Sequence, residues 1–507
     1  MRIDVRPVAR LRADPAATTA AIADVLRALA DGSADLTALR VVVDWIQYSS
    51  SFREPADLRP ILAGPQPPEA AGAAAGAGAA PAAEAALELA IDLRRAAGTD
   101  LGAQVRALVA ARERERGSGR AAPSRPLPLE PWGPGTASCI WRFNSLYWQA
   151  LSHWEQFTGR EYERALPGGA SDARNTAAVR ELILELFKIW DDLDARGALP
   201  AELYVVELGV GNGGQARAWL DEFVALSRAH HRDYYRRLHY LMGDYSPHVL
   251  GRARQAVAHH GEHVTSLVVD ATRPSESLGF LRGKAFLVYI SNVYDNLPTD
   301  EVARIGGRSY QVQTRAVLPA AAARRIARRC SARVAAVPSL IAKLLRLGPE
   351  LLCDALPQHF GEPPAALDFW RQTWTAVRLQ DRYVPIEGLD SYRIGPDLTG
   401  EMLRSQLETG GDIRLQVNNG ALSSFADTLP LLHPFGRLTC HDLFVTDVGE
   451  YLSRFHGPGK YDGSVVNWVN GPLLRHVGGR AGFDVRIAPF AQRPSANVST
   501  LTAAVRE

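Results

Sequence analysis

Residues 204–217 read Y-V-V-E-L-G-V-G-N-G-G-Q-A-R, and this stretch decides the fold. The apolar run 203–208 predicts a buried parallel strand, and residues 215–226 predict a helix. Between them stand three glycines at alternate positions: Gly209, Gly211 and Gly213. Glycine permits positive φ angles and leaves room for a ligand against the backbone, while the following helix presents free N–H groups. Strand, glycine turn and helix together predict the beginning of a nucleotide-binding βαβ unit.

Two acids help to distinguish the cofactors that such a turn can bind. The glycines at 209, 211 and 214 also satisfy the dinucleotide pattern G-x-G-x-x-G, so a nicotinamide cofactor stays open. Glu207, however, lies two residues before the first glycine, where an acid suits a cationic ligand such as S-adenosylmethionine better than a pyrophosphate. Asp244, at the end of the next predicted strand, can accept from both ribose hydroxyls. A glycine turn without a ligand is the remaining alternative.

The whole chain has the composition of a globular protein. Its 507 residues predict two or three domains, and a formal net charge of +2 gives no electrostatic reason to expect a nucleic acid partner. The four cysteines lack C-x-x-C spacing and no cluster of histidine, cysteine and carboxylate has ligand spacing, so we predict no disulfide framework and no metal site. Without a membrane-spanning apolar run or a signal peptide, the sequence predicts a cytoplasmic protein.

Apolar runs after the glycine turn predict the rest of an α/β sheet. The predicted strands are 238–242, 267–269, 285–290, 413–417, 437–442, 483–489 and 498–505. The last two fit an antiparallel hairpin at the edge of the sheet. An amphipathic helix at 175–195 should cover the sheet, and Ser246 followed by Pro247 predicts the capped beginning of another helix.

Polar residues follow several of these strands, at the end where ligands bind in open α/β sheets. Asp270 can accept from an adenine amine, although a turn cap explains it equally well. Asn292 and Asp295 follow the fourth strand and are placed to meet the reacting groups. His441 lies at the end of a later strand, where a packed polar residue is the more ordinary interpretation.

Residues outside the predicted sheet form two further regions. Helical spacing at 20–29, 36–46 and 84–116 predicts that residues 1–135 are a helical appendage, with Ala/Gly/Pro-rich linkers at 64–83 and 117–135. We expect this appendage to serve dimerisation, docking or partner contact. Residues 300–405 break the strand–helix alternation and predict an inserted cap that builds the acceptor site. The aromatic stretch 140–158 is typical of core packing, with a pocket lining as the alternative.

Five blocks of sequence carry a joint signal. They are 206–213 (V-E-L-G-V-G-N-G), 244–247 (D-Y-S-P), 292–298 (N-V-Y-D-N-L-P), 435–442 (F-G-R-L-T-C-H-D), and 461–468 (Y-D-G-S-V-V-N-W) ahead of 481–483. In this order, and with the long insertion after the fourth strand, they resemble the MidA-like class I methyltransferases. That family includes the mitochondrial arginine methyltransferase that assists assembly of respiratory complex I. The resemblance covers roughly residues 140–507.

The resemblance implies a Rossmann-like class I methyltransferase sheet with a large insertion after strand four, joined here to the N-terminal helical appendage. The cofactor-binding domain would consist of residues 136–299 and 406–507, with the cap at 300–405. S-adenosylmethionine would be the cofactor, with Glu207 holding its ammonium group directly or through water. The other implied cofactor contacts are Gly209, Gly211, Gly213, Asp244, Tyr245, Asp270 and Ala271.

Asp295 is the predicted acceptor contact, as a base or an orienting group, with Asn292 and His441 as further candidates. The sequence departs from the family at this place, because Val293 stands where Glu is usual and 441–444 (H-D-L-F) stands where Asp-Tyr-Gly is usual. A guanidinium group prefers a bidentate carboxylate, so the acceptor stays open between a protein arginine and a small molecule. An NAD(P)-dependent oxidoreductase and a catalytically degenerate assembly or scaffold protein remain alternatives, and a homodimer is one option for the oligomeric state.

Overall fold

The computed structural model describes residues 2–6, 15–30, 38–46, 50–64, 83–96, 99–118, 125–162, 176–395, 397–452, 456–493 and 497–506. The chain divides into two compact units. Unit 1 consists of residues 1–144, 299–417 and 448–467, and unit 2 of residues 145–298, 418–447 and 468–507. No helix in the described ranges is both long and apolar enough to cross a membrane.

Unit 2 contains, among its described residues, one sheet of seven strands. They are β1 (Leu203–Leu208), β2 (Leu238–Asp244), β3 (Val264–Val268), β4 (Ala285–Ser291), β5 (Leu432–Asp442), β6 (Phe483–Pro489) and β7 (Ser499–Val505). Their order across the sheet is 3-2-1-4-5-7-6, and β7 runs antiparallel to both of its neighbours. The chain therefore reverses its direction of winding between β1 and β4, which places a ligand-binding crevice at their carboxyl ends. This arrangement confirms the predicted Rossmann-like class I methyltransferase sheet.

Helices cover this sheet because their apolar faces match its buried strands. They are α1 (Leu151–Thr158), α2 (Thr176–Ala195), α3 (Gly214–Ala229), α4 (Pro247–Ala256), α5 (Pro274–Leu278), α6 (Asn419–Thr428) and α7 (Gly471–Arg480). Trp190 of α2 and Trp219 of α3 both pack against Phe223, with ring centroids 5.9 and 4.9 Å away. Such aromatic pairs add about 0.5–1.5 kcal/mol each beyond their burial. Helix α4 begins as predicted, with Ser246 Oγ accepting from Val249 N at 3.4 Å.

Unit 1 contains a ten-stranded sheet among its described residues. Eight strands follow one another in the order Arg2–Val5, Leu39–Asp44, Glu84–Asp92, Ala56–Leu62, Arg378–Pro385, Arg308–Leu318, Glu301–Ile305 and Ile413–Gln416, and Leu127–Pro128 and Gly133–Pro134 also pair with Arg308–Leu318. The longer helices of this unit are Pro15–Ala30, Leu101–Ser118, Ala320–Arg329, Val337–Ala355 and Pro363–Ala376. Strands from the N-terminal region and from the insertion after β4 thus share one sheet.

Several sequence predictions for unit 1 are wrong. Leu39–Asp44 and Glu84–Asp92 are strands, although their segments were predicted to be helical. Leu39–Asp44 is buried on both faces, so its short apolar run has no alternation that would distinguish a strand from a helix. Ile413–Gln416 pairs with Glu301–Ile305 rather than joining the sheet of unit 2. The predicted linker at 64–83 lies almost wholly outside the described residues.

Opposite charges are buried together in the sheet of unit 1. Asp381 accepts hydrogen bonds from Arg53 and, at 2.8 Å, from Arg414, and Arg59 Nε lies 3.7 Å away. Burial alone would raise the pKa of Asp381, but these three guanidinium groups hold the pKa of the carboxyl well below its usual range. The carboxylate is therefore the counter-charge on which three buried cations depend.

We expect Asp381→Asn to destabilise the protein by about 3–5 kcal/mol, because it removes the carboxylate that three buried guanidinium groups share. Their remaining partners, Glu301, Glu88 and Asp57, neutralise these cations only in part. The depressed pKa means that this stabilisation is complete above pH about 4 and is lost as the pH falls further. Urea unfolding followed by tryptophan fluorescence measures the loss. The exposed Asp354→Asn is the control and should change the free energy of unfolding by less than about 0.5 kcal/mol. Equal effects of the two substitutions would contradict the role of the buried charges.

Candidate functional site

The glycine turn after β1 is tied to the end of β2. Gly209 N and Val210 N donate to Gly243 O at 2.8 and 3.2 Å, and Gly211 N donates to Asp244 Oδ2 at 3.2 Å. The φ angles of Gly209, Gly211 and Gly213 are +77°, +56° and +78°. These left-handed conformations are strained for any residue with a Cβ atom.

The surroundings of the turn also exclude side chains. A Cβ at Gly211 would lie 2.7 Å from the Tyr162 hydroxyl, and one at Gly213 would lie 2.6 Å from Ala253 Cα in α4. A Cβ at Gly209 would collide with Val293 Cγ2, in the loop that follows β4. The loops after β1 and β4 therefore meet at Gly209, at the crevice where the winding of the sheet reverses.

Glu207 lies buried at the end of β1, directly before this turn. Its Oε2 accepts a hydrogen bond of 2.6 Å from the Tyr240 hydroxyl. Burial raises the pKa of the Glu207 carboxyl to about 8, and the neighbouring Asp244 charge contributes in the same direction. The hydrogen bond from Tyr240 opposes this shift but is the smaller effect. In the free protein at neutral pH this carboxyl is mostly protonated. A cation placed against it would restore the carboxylate.

Asp244 ends β2 beside the turn. Its Oδ1 accepts from Ser246 N at 3.0 Å while Oδ2 accepts from Gly211 N. Burial raises the pKa of Asp244 to about 6, against the lowering effect of these backbone hydrogen bonds. Tyr245 is exposed, and its hydroxyl accepts from Gln149 Nε2 at 2.7 Å.

Asp270 and Ala271 lie just past β3, beside the end of β2. Val269 N donates to Asp244 O at 3.0 Å, which fixes this neighbourhood. The exposed Asp270 carboxylate accepts from Thr272 N at 2.8 Å and from Thr272 Oγ1 at 2.7 Å. These contacts are those of a turn cap, the alternative left open by the sequence. Contact of Asp270 and Ala271 with adenine stays a prediction.

The loop after β4 is held by a buried carboxylate from β5. Asp442 Oδ2 accepts from Val293 N at 3.1 Å, from Tyr294 N at 2.8 Å and from Asp295 N at 3.3 Å. The exposed Asn292 has a φ of +52° and donates its N–H to His441 O at 2.9 Å. Asparagine is among the few residues that tolerate this conformation, so the loop concentrates backbone strain at a candidate site residue.

Asp295 and Asp442 form a buried acid pair. Asp295 Oδ1 accepts from Asn296 Nδ2 at 2.7 Å. Burial and then the Asp442 charge raise the pKa of Asp295 well above its usual range. Burial also raises the pKa of Asp442 to about 6, although backbone hydrogen bonds oppose this shift. Ionisation of either carboxyl therefore disfavours ionisation of the other, and the backbone donors to Asp442 favour the charge on that residue over the charge on Asp295.

The imidazole of His441 is packed into the sheet. Its Nδ1 lies 2.8 Å from Thr500 Oγ1 of β7, and its ring meets Phe490 and Tyr289 edge to face, with centroids 4.9 and 5.5 Å away. This placement agrees with the packed polar residue that the sequence favours. A catalytic role for His441 remains a prediction.

Three residues near the turn were not singled out from the sequence. Tyr240 binds Glu207, Tyr162 lies over Gly211, and Gln149 binds Tyr245. Tyr240 could have been found from its position in β2, on the same face as Glu207. Gln149 belongs to the aromatic stretch 140–158, for which core packing was the favoured interpretation and a pocket lining the alternative, and Tyr162 lies beyond that stretch, so the sequence carried no specific signal for either residue.

Comparison with known proteins leaves the family open. No family profile matches the sequence, and no curated protein sequence matches it. Among solved structures, a candidate methyltransferase of Burkholderia thailandensis bound to S-adenosylhomocysteine is 14% identical, covering 80% of this chain and 94% of that chain, with a TM-score of 0.43. The CcbJ methyltransferase of Streptomyces caelestis is 11% identical over 72% and 99% of the two chains, with a TM-score of 0.31. Similarities this weak assign neither a family nor a function to this chain.

We expect Gly213→Ala to destabilise the protein by about 2–4 kcal/mol, because the new Cβ needs a left-handed φ and collides with α4. Urea unfolding followed by circular dichroism measures the effect. Gly251→Ala, inside α4, is the matched control, since a Cβ there meets no atom within 4 Å. That control should be neutral or stabilising by up to about 1 kcal/mol. Similar losses for both variants would show that the close approach at Gly213 is unimportant.

Proposed function

We propose that this protein is an S-adenosylmethionine-dependent methyltransferase related to the MidA-like family. The observation that carries the proposal is the buried carboxyl of Glu207 at the end of β1, immediately behind a turn in which three glycines have positive φ. The glycines supply the close backbone approach that an adenosine cofactor needs. The buried acid supplies a site for the cationic part of that cofactor.

The same acid disfavours the nicotinamide alternative. A pyrophosphate bound at the N-terminus of α3 would lie near Glu207, where a dinucleotide fold normally has an apolar strand residue, whereas Asp244 suits the ribose of either cofactor. A ligand with an ammonium group instead gains from Glu207. The raised pKa of each acid indicates how strongly the free site would favour such a counter-charge.

In this proposal each residue has a separate task. Glu207 holds the ammonium group, Asp244 and Tyr245 bind the ribose, and Asp270 with Ala271 contacts the adenine. The cofactor, when bound, supplies an electrophilic methyl group on sulfur. The protein contributes alignment and exclusion of water, since this leaving group needs little further activation.

The loop after β4 is the proposed acceptor-binding element. Asp295 is the proposed acceptor contact, as a base or an orienting group, and burial together with the Asp442 charge raises its pKa well above its usual range, which favours the orienting role. Asn292 offers a second polar group from the same loop. The apolar Val293 cannot pair with a guanidinium group, and an acid whose pKa is raised does so less readily, so we favour a nitrogen or oxygen atom of an uncharged small molecule over a protein arginine. A cytoplasmic location and a homodimer remain predictions of the sequence.

Calorimetric titration with S-adenosylhomocysteine and, separately, with NADH tests the cofactor. We expect micromolar binding of the first and none of the second. Asp244→Ala should weaken that binding by about 10- to 100-fold, because the ribose hydroxyls lose a charged acceptor. The exposed Asp233→Ala is the control and should bind like the wild type.

Each other result has a defined meaning. Tight NADH binding would overturn the methyltransferase proposal in favour of an oxidoreductase. Failure of both ligands to bind would favour the scaffold alternative. If S-adenosylhomocysteine binds but no compound in an acceptor screen causes S-adenosylmethionine to be converted to S-adenosylhomocysteine, the cofactor site is established. The compounds used are then excluded as acceptors.

A second experiment tests Glu207 directly. With a pKa of about 8, its carboxyl is about nine-tenths protonated at pH 7, and an ammonium group bound beside it should expel this proton. Titration of S-adenosylhomocysteine in buffers of different ionisation enthalpy should therefore reveal release of nearly one proton at pH 7 and almost none at pH 9. Glu207→Gln should abolish the release and weaken binding by about 10- to 100-fold. Undiminished proton release in this variant would assign the proton to another group.

A further inference from the structure

A cluster of two histidines and one carboxylate lies in unit 2, apart from the residues around the glycine turn. Asp221 is on α3, and His259 and His260 are on the short 3₁₀ helix Ala258–His263. Asp221 Oδ1 lies 2.9 Å from His259 Nε2 and 3.0 Å from His260 Nε2. One ligand atom from each residue fits within 4.8 Å of the others. Two imidazole nitrogens thus converge on one carboxylate oxygen.

We propose that Asp221, His259 and His260 bind a divalent transition-metal ion, with zinc as the best fit. Zinc takes nitrogen and oxygen ligands at about 2.0–2.2 Å in a tetrahedron, which separates neighbouring ligand atoms by roughly 3.3 Å. The two separations between Asp221 Oδ1 and the histidine nitrogens are a few tenths of an ångström shorter, so a small outward movement of Asp221 makes room for the ion. The side chains of Asp221 and His259 are 55% and 54% exposed and can make that movement.

The surroundings hold the third ligand in place. His260 is buried, and its other nitrogen, Nδ1, lies 2.6 Å from the Tyr235 hydroxyl. The ring of His263 packs on Tyr235 at a centroid distance of 4.0 Å and limits its movement. A hydrogen bond at the nitrogen that does not bind the metal is the usual way in which proteins orient a histidine ligand. His260 is therefore an oriented ligand, whereas two adjacent histidines on an open surface would have no such orientation.

The donor set defines the class of ion. Two imidazoles and one carboxylate suit zinc, nickel or copper, whereas magnesium and calcium prefer oxygen ligands. Three protein ligands leave a fourth position for water or an external group. Residue spacing along the chain carries no signal for this site, because Asp221 precedes His259 by 38 residues and only the fold brings them together.

The location indicates a structural or regulatory site. Asp221 lies about 12 Å along α3 from the glycine turn, and the two histidines precede the amino end of β3. An ion here would connect α3 to the segment that leads into β3. The inference does not depend on the proposed methyltransferase activity.

Zinc competition against a chromophoric chelator tests the site, with the full chain freed of any affinity tag. We expect one zinc ion per chain with a micromolar or lower dissociation constant. His259→Ala and Asp221→Asn should each weaken binding by roughly 10- to 100-fold. Both variants should keep the zinc-free melting temperature of the wild type, because their side chains are half-exposed. Zinc should raise the melting temperature of the wild type only.

His239→Gln is the matched control, because His239 faces the Glu202 carboxylate at 3.8 Å and, within the described ranges, belongs to no group of three possible metal ligands. This variant should bind zinc like the wild type. Cobalt should give the visible absorption of a tetrahedral complex in the wild type and lose it in His259→Ala. Wild-type affinity in both His259→Ala and Asp221→Asn, or a wild-type dissociation constant well above the micromolar range, would overturn the proposal.

Discussion

Side-chain carboxylates that accept backbone N–H groups hold the carboxyl edge of the seven-stranded sheet together. Asp442 accepts from three consecutive residues of the loop after β4, and Asp244 accepts from the glycine turn and from the beginning of the segment before α4. Loop N–H groups near a buried crevice need such partners because neither strand nor helix satisfies them. Each hydrogen bond to a charged acceptor contributes about 1.5–3 kcal/mol. These two anchors fix the glycine turn and the loop after β4, which carry proposed contacts to the cofactor and to the acceptor.

The anchoring has an electrostatic consequence. Glu207, Asp244, Asp295 and Asp442 all lie at the carboxyl ends of neighbouring strands, and burial raises the pKa of each. Without a ligand, these four carboxyl groups therefore bind more protons than isolated carboxyl groups would at the same pH. Positive charge on a ligand would return these groups to the carboxylate form. Glu207 distinguishes the crevice from one that binds a pyrophosphate, since an acid at the end of the second strand is common to both kinds of site.

The sequence predicted the sheet of unit 2 well because its strands are apolar runs between strong turn signals. Residues 203–208 and 483–489 were predicted with their observed bounds, and the hairpin at the edge was expected. The strands of unit 1 were predicted poorly because their partners are distant in the sequence. Leu39–Asp44 pairs with Glu84–Asp92, and Tyr383 pairs with Ile61, more than 300 residues earlier. Hydrophobic periodicity reports local burial and contains no information on such distant pairing. The same limit applies to Asp442, whose three hydrogen bonds cross about 150 residues of sequence.

The acid pair at the end of β4 and β5 narrows the chemistry that the proposed enzyme could perform. A general base must be able to lose its proton near the working pH, and burial and the Asp442 charge both oppose loss of the proton from Asp295 by raising its pKa. Asp442 cannot take over that task, because three backbone N–H groups already occupy one of its oxygens. Methyl transfer from a sulfonium tolerates this arrangement when the acceptor is already a neutral nucleophile with an accessible lone pair. The loop after β4 would then select acceptors by hydrogen bonding and shape, and an acceptor that first needs a proton removed would require a base supplied from elsewhere.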